Sequence, residues 1–513
     1  MRTRSALSLL DGRSVAGVQR ATGVDGAVAS SGATGLPGPL VATSVLGHAH
    51  RVHLVGIGGS GVRGLVPIFL ARGMKVSGSD VSENSLANKY RELGVICSLG
   101  HSDDNVDPST DVVLISAAVR DDNPEVIAAN RNRIPVIKYS QGLGYLMAEK
   151  LGIAVAGTHG KTTTTTLLSH ILLSSDQDPS FVIGGEYAAW GGSSRSGGGR
   201  HFVAEACEFD RSFLNLSPAA AIVTNIEEEH LDYFESLADI QHAFAQFASL
   251  VPPDGLLVIN AEDADSQYLR DVSRALVQSF SLVARTADWW AEDVTQEGES
   301  SRFTIVCRDG RRLPVRLPVP GLHNVRNALA ATAVCTWAGV PLERIGDALA
   351  TFSGVRRRFD VLRRDPITVI DDYAHHPTEV DALLRAARAA YPGRRIFGVF
   401  QPHQHSRLRR LLDRFAESLR GFDEVVVTDV FHSRDGEEAV RAIDSRRLVE
   451  ALRARGKPCY DTPSFDAVVS CLDAHTASGD VVIFMGAGTV TQLAKRFAEH
   501  AGVMPAAGSV AHA

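Results

Sequence analysis

The segment Gly157-Thr-His-Gly-Lys161-Thr162 constrains this chain more than any other. It follows the apolar run 152-GIAVA and precedes a pattern with Leu167, Leu168, Ile171 and Leu172 on one helical face. The spacing predicts a strand, a tight glycine turn and a helix N-terminus. Backbone amides in such a turn point at phosphate oxygens, a lysine at position 161 can neutralise the β- and γ-phosphates, and the Thr162 hydroxyl can coordinate magnesium. Val155 stands where a full P-loop has its first glycine, so the loop is the shortened form GxxGKT. An ordinary glycine turn before a helix is the alternative. Against it stand five threonines from Thr162 to Thr166, because β-branched residues suit the first turns of a helix poorly unless their hydroxyls have another task.

Around this loop, short β-branched runs alternate with helical patterns, which predicts an α/β fold with parallel, doubly wound sheets. The runs 52-VHLVGIGG, 74-MKVSGSD, 111-DVVLIS and 135-PVIKYS belong to a Rossmann-like N-terminal domain at residues 49–150. The runs 201-HFVAEA, 220-AAIVTN, 255-GLLVIN, 303-FTIVC and 313-LPVRLPV belong to a central P-loop ATPase domain with a mostly parallel sheet at 151–353, in which 191-GGSSRSGGGR reads as a surface loop. The runs 367-ITVIDD, 395-RIFGVF, 424-EVVVTDV and 480-DVVIFMGAG belong to a Rossmann-like C-terminal domain at 354–502. Residues 1–48 and 503–513 read as a flexible extension and tail.

Composition excludes several classes. A formal net charge of -7 with basic and acidic residues intermixed leaves no basic face for nucleic acid. No run approaches the roughly 18 apolar residues of a membrane span, and the N-terminus lacks the apolar length of a signal peptide. Six scattered cysteines without metal-ligand spacing fit free thiols in a cytoplasmic protein.

Other motifs fall at candidate strand ends, where ligand crevices form. Glu205 and His230 can join Thr162 as magnesium donors, although His230 taken alone reads as a satisfied surface or cap histidine. In 56-GIGGSG the residues Gly56, Gly58, Gly59, Ser60 and Gly61, with Asp80 ending the next strand, form a pyrophosphate-type turn that accepts a dinucleotide or a UDP-sugar alike. Arg356, Arg357 and Arg358 sit at the boundary into the third domain, as phosphate ligands or as a solvated basic linker, and Gly354 to Arg358 is the expected hinge. Joint metal ligation by His375 and His376 is disfavoured, since neighbours on an extended segment point to opposite sides.

The ordered set 157-GTHGKTT, 205-EACEFD, 224-TNIEEEHLDYF, 323-HNVRN, 356-RRRFD, 371-DDYAHHPTEV and 401-QPHQHSR resembles the Mur ligases over about residues 50 to 500. The GTHGKT loop and the DDYAHHP segment are more similar to alanine-adding members than to ligases that add later residues. The resemblance implies an ATP-dependent ligase that joins UDP-N-acetylmuramate to L-alanine, with ATP and Mg2+ required and neither nucleic acid nor membrane as partner. It implies that Gly157, Thr158, His159, Gly160, Lys161, Thr162, Thr163, Asn324, Asn327 and Arg358 bind ATP, with Lys161 and His230 catalytic. Thr162, Glu205 and His230 would serve magnesium, and Tyr373, His375 and Arg407 the amino acid. Two positions depart from some members: Gln404 stands in place of an arginine, which leaves Arg407 as the carboxylate ligand, and Cys207 in place of an acid, where it is expected to fill packing space. A ligase adding a preformed peptide, a nicotinamide-dependent oxidoreductase and a non-catalytic nucleotide-binding regulator are the competing readings.

Overall fold

The computed structural model describes residues 45–81, 90–432 and 435–500. Runs of four to six apolar residues, too short for helices, become strands covered on both faces, as parallel sheets require. Three sheets result, in chain order. The first comprises β1 (Arg51–Val55), β2 (Lys75–Asp80), β3 (Ile96–Leu99), β4 (Val112–Ile115) and β5 (Val136–Lys138), all parallel in the order β3-β2-β1-β4-β5. The strand order reverses at β1, and the Gly56 turn leaves from that point.

The second sheet has ten strands: β6 (Leu151–Ala156), β7 (Ser180–Tyr187), β8 (Gly192–Arg195), β9 (His201–Glu205), β10 (Pro218–Val223), β11 (Leu256–Asn260), β12 (Leu276–Ser281), β13 (Trp289–Glu297), β14 (Ser300–Cys307) and β15 (Arg312–Leu317). Their order is β15-β14-β13-β12-β11-β10-β6-β9-β7-β8. Pairing is parallel from β7 through β13 in that order, and antiparallel at β7–β8, β13–β14 and β14–β15. The third sheet holds β16 (Asp360–Arg363), β17 (Thr368–Asp372), β18 (Ile396–Phe400), β19 (Glu424–Val427), β20 (Cys459–Asp461) and β21 (Val481–Met485), in the order β16-β17-β21-β18-β19-β20 with β16 antiparallel.

Three sequence expectations need correction. The stretch 191-GGSSRSGGGR is not wholly a loop, since Gly192–Arg195 pair with β7 as an edge strand. The helix Lys161–Ser174 is not amphipathic; every residue from Thr162 to Leu172 is buried, because the helix Leu322–Trp337 covers the side opposite the sheet. Residues 1–44 and 503–513 lie outside the described residues, as do the expectations for them, but Leu46 within the expected extension is only 1% exposed and packs in the first core.

The first sheet is fixed to the second by close contact. Lys138 Nζ meets Asp210 Oδ2 at 2.5 Å and Asn215 Nδ2 donates to Ser140 Oγ at 3.1 Å. A Cβ at Gly144 would stand 2.0 Å from the Asn215 carbonyl oxygen, so only glycine allows these backbones to meet.

Inside the first domain a polar cluster crosses the sheet. Ser79 Oγ donates to Glu125 Oε2 at 2.6 Å, Asn105 Nδ2 donates to Oε1 at 2.5 Å, and His53 Nε2 lies at 3.4 Å. Burial opposes the charge on Glu125, yet His53, Ser79 and Asn105 bring its carboxyl from the ordinary 4.5 down to about 2. A depressed carboxyl contributes stability that is complete above the unfolded value near 4.5 and is lost as pH falls towards 2. Glu125→Ala should therefore cost about 3 kcal/mol at neutral pH by stranding the buried His53 and Ser79 and the half-buried Asn105. Urea unfolding at pH 7 and pH 4 should show the gap between wild type and variant narrowing at the lower pH; a constant gap would assign the loss to packing.

Candidate active site

The loop after β6 is shaped by positions that admit no side chain. Gly157 has φ +128°, and a Cβ there would meet Thr224 Oγ1 at 2.0 Å; Gly160, at φ +83°, would meet Asn327 Oδ1 at 2.8 Å. Asn225 holds the loop, its carbonyl accepting from Thr158 N at 3.0 Å and its Oδ1 from His159 N at 2.9 Å. Thr158 Oγ1 in turn accepts from Glu227 N at 2.8 Å. From Gly160 onward the amides are those that a helix N-terminus leaves unsatisfied, an arrangement that attracts anions. The threonine run has a structural use: Thr165 Oγ1 donates to the Lys161 carbonyl at 2.8 Å and Thr166 Oγ1 to the Thr162 carbonyl at 2.7 Å, so these buried hydroxyls are satisfied within the helix.

Lys161 turns back on its own loop, with Nζ donating to the carbonyls of Gly157 and Thr158 and to Glu208 Oε2 at 2.9 Å. Burial disfavours the ammonium, but Glu208 outweighs it and holds the lysine above its usual range. Glu208, only 2% exposed, is a site residue that the sequence reading missed. Its one signal was a second acid three residues after Glu205.

The Thr162 hydroxyl bonds Glu205, whose Oε1 also accepts from Gly184 N at 2.5 Å; burial nonetheless raises the Glu205 carboxyl above the ordinary value. A Cβ on Gly184 would fall 2.6 Å from Glu205 Oε2. His230, at φ +54°, reaches this group through Glu208, with Nε2 at 3.8 Å from Oε1. Burial lowers its pKa and its Nδ1 is enclosed without a hydrogen-bond partner. Two oxygen donors and an uncharged imidazole make a set that a divalent cation accepts. Cys207, expected to fill packing space, is exposed.

A cavity of about 370 Å³ lies between the second and third sheets. His159, Gly160, Thr163, Asn324, Asn327 and Arg358 line it together with Asp372 and Glu379, while Phe280, Val319, Phe352 and Leu383 supply apolar walls. Of the three boundary arginines only Arg358 faces this cavity. Arg356 pairs with Asp360 at 3.3 Å, and Arg357 donates to the Gly486 carbonyl at 2.7 Å beneath the Tyr373 ring. Burial lifts the Asp372 carboxyl to about 6, against Arg358 and two backbone amides.

A second cavity of similar size is lined by Glu228, Glu229, His230 and Asp232 from the second domain, and by Gln404, Ser406, Arg407 and Arg410 from the third. Arg407 bonds Glu229 across it, and both side chains are buried. Its Nη1 also lies 2.9 Å from His403 Nδ1. His403 stacks edge-on to His375, and His375 to Tyr373, so Tyr373, His375 and Arg407 form one chain of contacts. Gln404 is buried with Nε2 unpartnered. In the first domain, Gly58 N donates to Asp80 Oδ2 at 2.9 Å, so one oxygen of this acid shapes the Gly56 turn, and a Cβ on Gly61 would stand 3.0 Å from the Tyr139 ring.

Comparison with known proteins gives three successive family matches: "Mur ligase family, catalytic domain" over residues 51–151, "Mur ligase middle domain" over 155–335 and "Mur ligase, glutamate ligase domain" over 357–488. A UDP-N-acetylmuramate–L-alanine ligase from Acetivibrio thermocellus is 41% identical over 452 residues, covering 87% of this chain and 95% of the relative. One from Salinibacter ruber is 40% identical over 457 residues, covering 88% and 95%. The crystal structure of a UDP-N-acetylmuramate-alanine ligase from Thermotoga maritima superposes with TM-score 0.75 at 31% identity, over 88% of this chain and 98% of that one. A murein peptide ligase from Psychrobacter arcticus follows with TM-score 0.68 at 25% identity, over 89% and 100%.

The buried Arg407–Glu229 pair gives a direct prediction. Glu229→Gln should leave the guanidinium uncompensated and weaken closure of the third sheet on the second by about 3 kcal/mol. X-ray scattering should then show a larger radius of gyration than wild type. An unchanged radius would mean that the pair does not hold the two together.

Proposed function

The chain belongs to the Mur ligase family, and on that premise we propose that it is an ATP-dependent ligase that joins the carboxylate of UDP-N-acetylmuramate to L-alanine, giving ADP and phosphate in peptidoglycan precursor synthesis. The observation that carries this reading is the pair of cavities on one seam: the phosphate loop and Arg358 line one, His230 and Arg407 the other. The relatives named for this reaction match across nearly their whole length.

We assign the UDP-sugar to the first domain, at Gly56, Gly58, Gly59, Ser60, Gly61 and Asp80. ATP is assigned to the first cavity, with Gly157 to Thr163 around the phosphates, Asn324 and Asn327 by the adenine and Arg358 across from the loop. L-alanine is assigned to Tyr373, His375 and Arg407, the guanidinium meeting its carboxylate. Magnesium fits Thr162, Glu205 and His230, the last having a buried nitrogen with no other partner. Bound there, it would neutralise phosphate charge.

The muramate carboxylate is a poor electrophile, so the γ-phosphoryl group moves to it first and forms an acyl phosphate. Lys161 leaves Glu208 to follow the migrating charge, and the helix amides share it. The alanine amine then attacks the acyl carbon and phosphate departs. An acyl phosphate hydrolyses in open water, which the third sheet excludes while it is closed over the loop. None of the described helices is long and apolar enough to cross a membrane and all six cysteines are unpaired, which supports assignment to the cytoplasm.

Phosphate release from ATP and magnesium with UDP-N-acetylmuramate should depend on L-alanine and yield UDP-muramoyl-alanine by mass spectrometry. Dependence on a muropeptide tripeptide instead would make this a peptide-adding ligase. No acceptor dependence at all would leave a nucleotide-binding regulator. Lys161→Ala should lower kcat about a thousandfold with the fold intact; near-normal turnover would sink the assignment of Lys161 to the phosphoryl group.

A further inference from the structure

On the seam between the second and third sheets, His159, Glu227 and His376 present ligand atoms that all lie within 4.8 Å of one another. His159 comes from the phosphate loop, Glu227 from the segment after β10 and His376 from the segment after β17. His159 Nδ1 meets Glu379 Oε1 at 3.2 Å, a carboxylate that fixes the proton on that nitrogen. Nε2 faces Glu227 Oε1, 3.9 Å away, and is enclosed with no hydrogen-bond partner.

Glu227 is held for the same role. Its Oε2 accepts from the Thr378 hydroxyl at 2.7 Å and lies 3.8 Å from Arg414, which leaves Oε1 facing His159. His376 is fully buried: its Nδ1 lies 4.0 Å from Glu227 Oε2 and accepts a long bond of 3.3 Å from Thr378 N, while its Nε2 has no partner. The two imidazoles stand 4.8 Å apart, ring centre to ring centre. Two imidazoles and a carboxylate oxygen thus converge, and a metal ion there would take the place of the proton that Glu379 and Glu227 favour on His159 and of the long bond from Thr378 N to His376.

We propose that His159, Glu227 and His376 form a transition-metal site of the zinc class that ties the phosphate loop to the third sheet, separate from the magnesium donors Thr162, Glu205 and His230. Two imidazoles and one carboxylate are a donor set that zinc takes with an open fourth position. Magnesium, which seeks oxygen ligands at short octahedral distances, takes it poorly. Tetrahedral zinc sets its ligand atoms about 3.3 Å apart, so each side chain has to move inward by less than about 1 Å. Because the ligands come from both sides of the seam, the ion holds the closed arrangement.

The test is titration of Co2+ into the full-length, nucleotide-free protein in a large excess of Mg2+, followed by visible d–d absorption. One Co2+ per chain should bind and be displaced by Zn2+. Binding should vanish in both His376→Asn and Glu227→Gln, each with the circular dichroism of wild type, and persist in His230→Asn. Absence of binding to wild type, persistence in either seam variant, or loss in His230→Asn would overturn the site. Zn2+ should also slow proteolysis at the junction 354–358 in wild type and not in the seam variants; equal cleavage with and without Zn2+ would overturn the bridging.

Discussion

A carboxylate enclosed between two sheets must be met by hydrogen bonds and positive charge or give up its own. Glu379, near the start of the helix Pro377–Ala390, is such a group. Its oxygens accept from the backbone amides of His375 at 3.0 Å and His376 at 3.3 Å, and they lie 3.2 Å from His375 Nδ1, 3.2 Å from His159 Nδ1 and 3.7 Å from Arg358. Burial presses the carboxyl towards protonation, but His375 and His159 outweigh it and keep the group well below the ordinary carboxylate range. The same residue therefore caps its own helix, orients the histidine segment before it and receives a histidine from the phosphate loop across the seam. Without it the third sheet has no charged reason to face that loop.

The rest of the seam has the same polar character. Arg407 meets Glu229, the Thr378 hydroxyl meets Glu227, and at the outer edge Tyr391 and Arg364 both bond Glu299 at the turn between β13 and β14. Polar interfaces of this kind close and reopen, because the separated groups return to water without exposing a large apolar face. A ligase that must admit three substrates and then exclude water needs a joint of this sort.

How far the sequence was legible follows from the range of each interaction. The turns at Gly56, Gly157 and Gly160 could be read because a positive φ is a local demand, whereas the crowding by Ser116, Thr224 and Asn327 that also bars a Cβ there is not. Strands such as β6, β10 and β21 could be read because burial on both faces writes a continuous apolar run. By contrast, in β13 only Trp289 and Ala291 are buried along WWAEDVTQE, half-buried and exposed residues alternate over the rest, and the strand carries no such run. β8 reads as a loop because its glycine and serines are tolerated on an edge. Glu208 and Glu379 draw their importance from partners 47 and 220 positions away in the sequence, at Lys161 and His159, and no spacing rule carries that information. The threonine run was legible as unusual, while the bonds that satisfy Thr165 and Thr166 and leave the buried Thr164 hydroxyl without a partner needed the helix and its surroundings to be known.

The contact at Gly144 has a different kind of consequence. Where two backbones touch with no side chain between them, the faces cannot slide, since any shift drives a carbonyl into a Cα. That contact opposes sliding of the sheet that ends in the Gly56 turn over the sheet that carries the phosphate loop, whereas the third sheet meets the loop across a polar seam. The span from one glycine turn to the other is then a ruler. A molecule anchored at the first turn presents to the second only the atoms that lie at that fixed reach, so length selects the reacting end of the substrate before any chemical group is recognised.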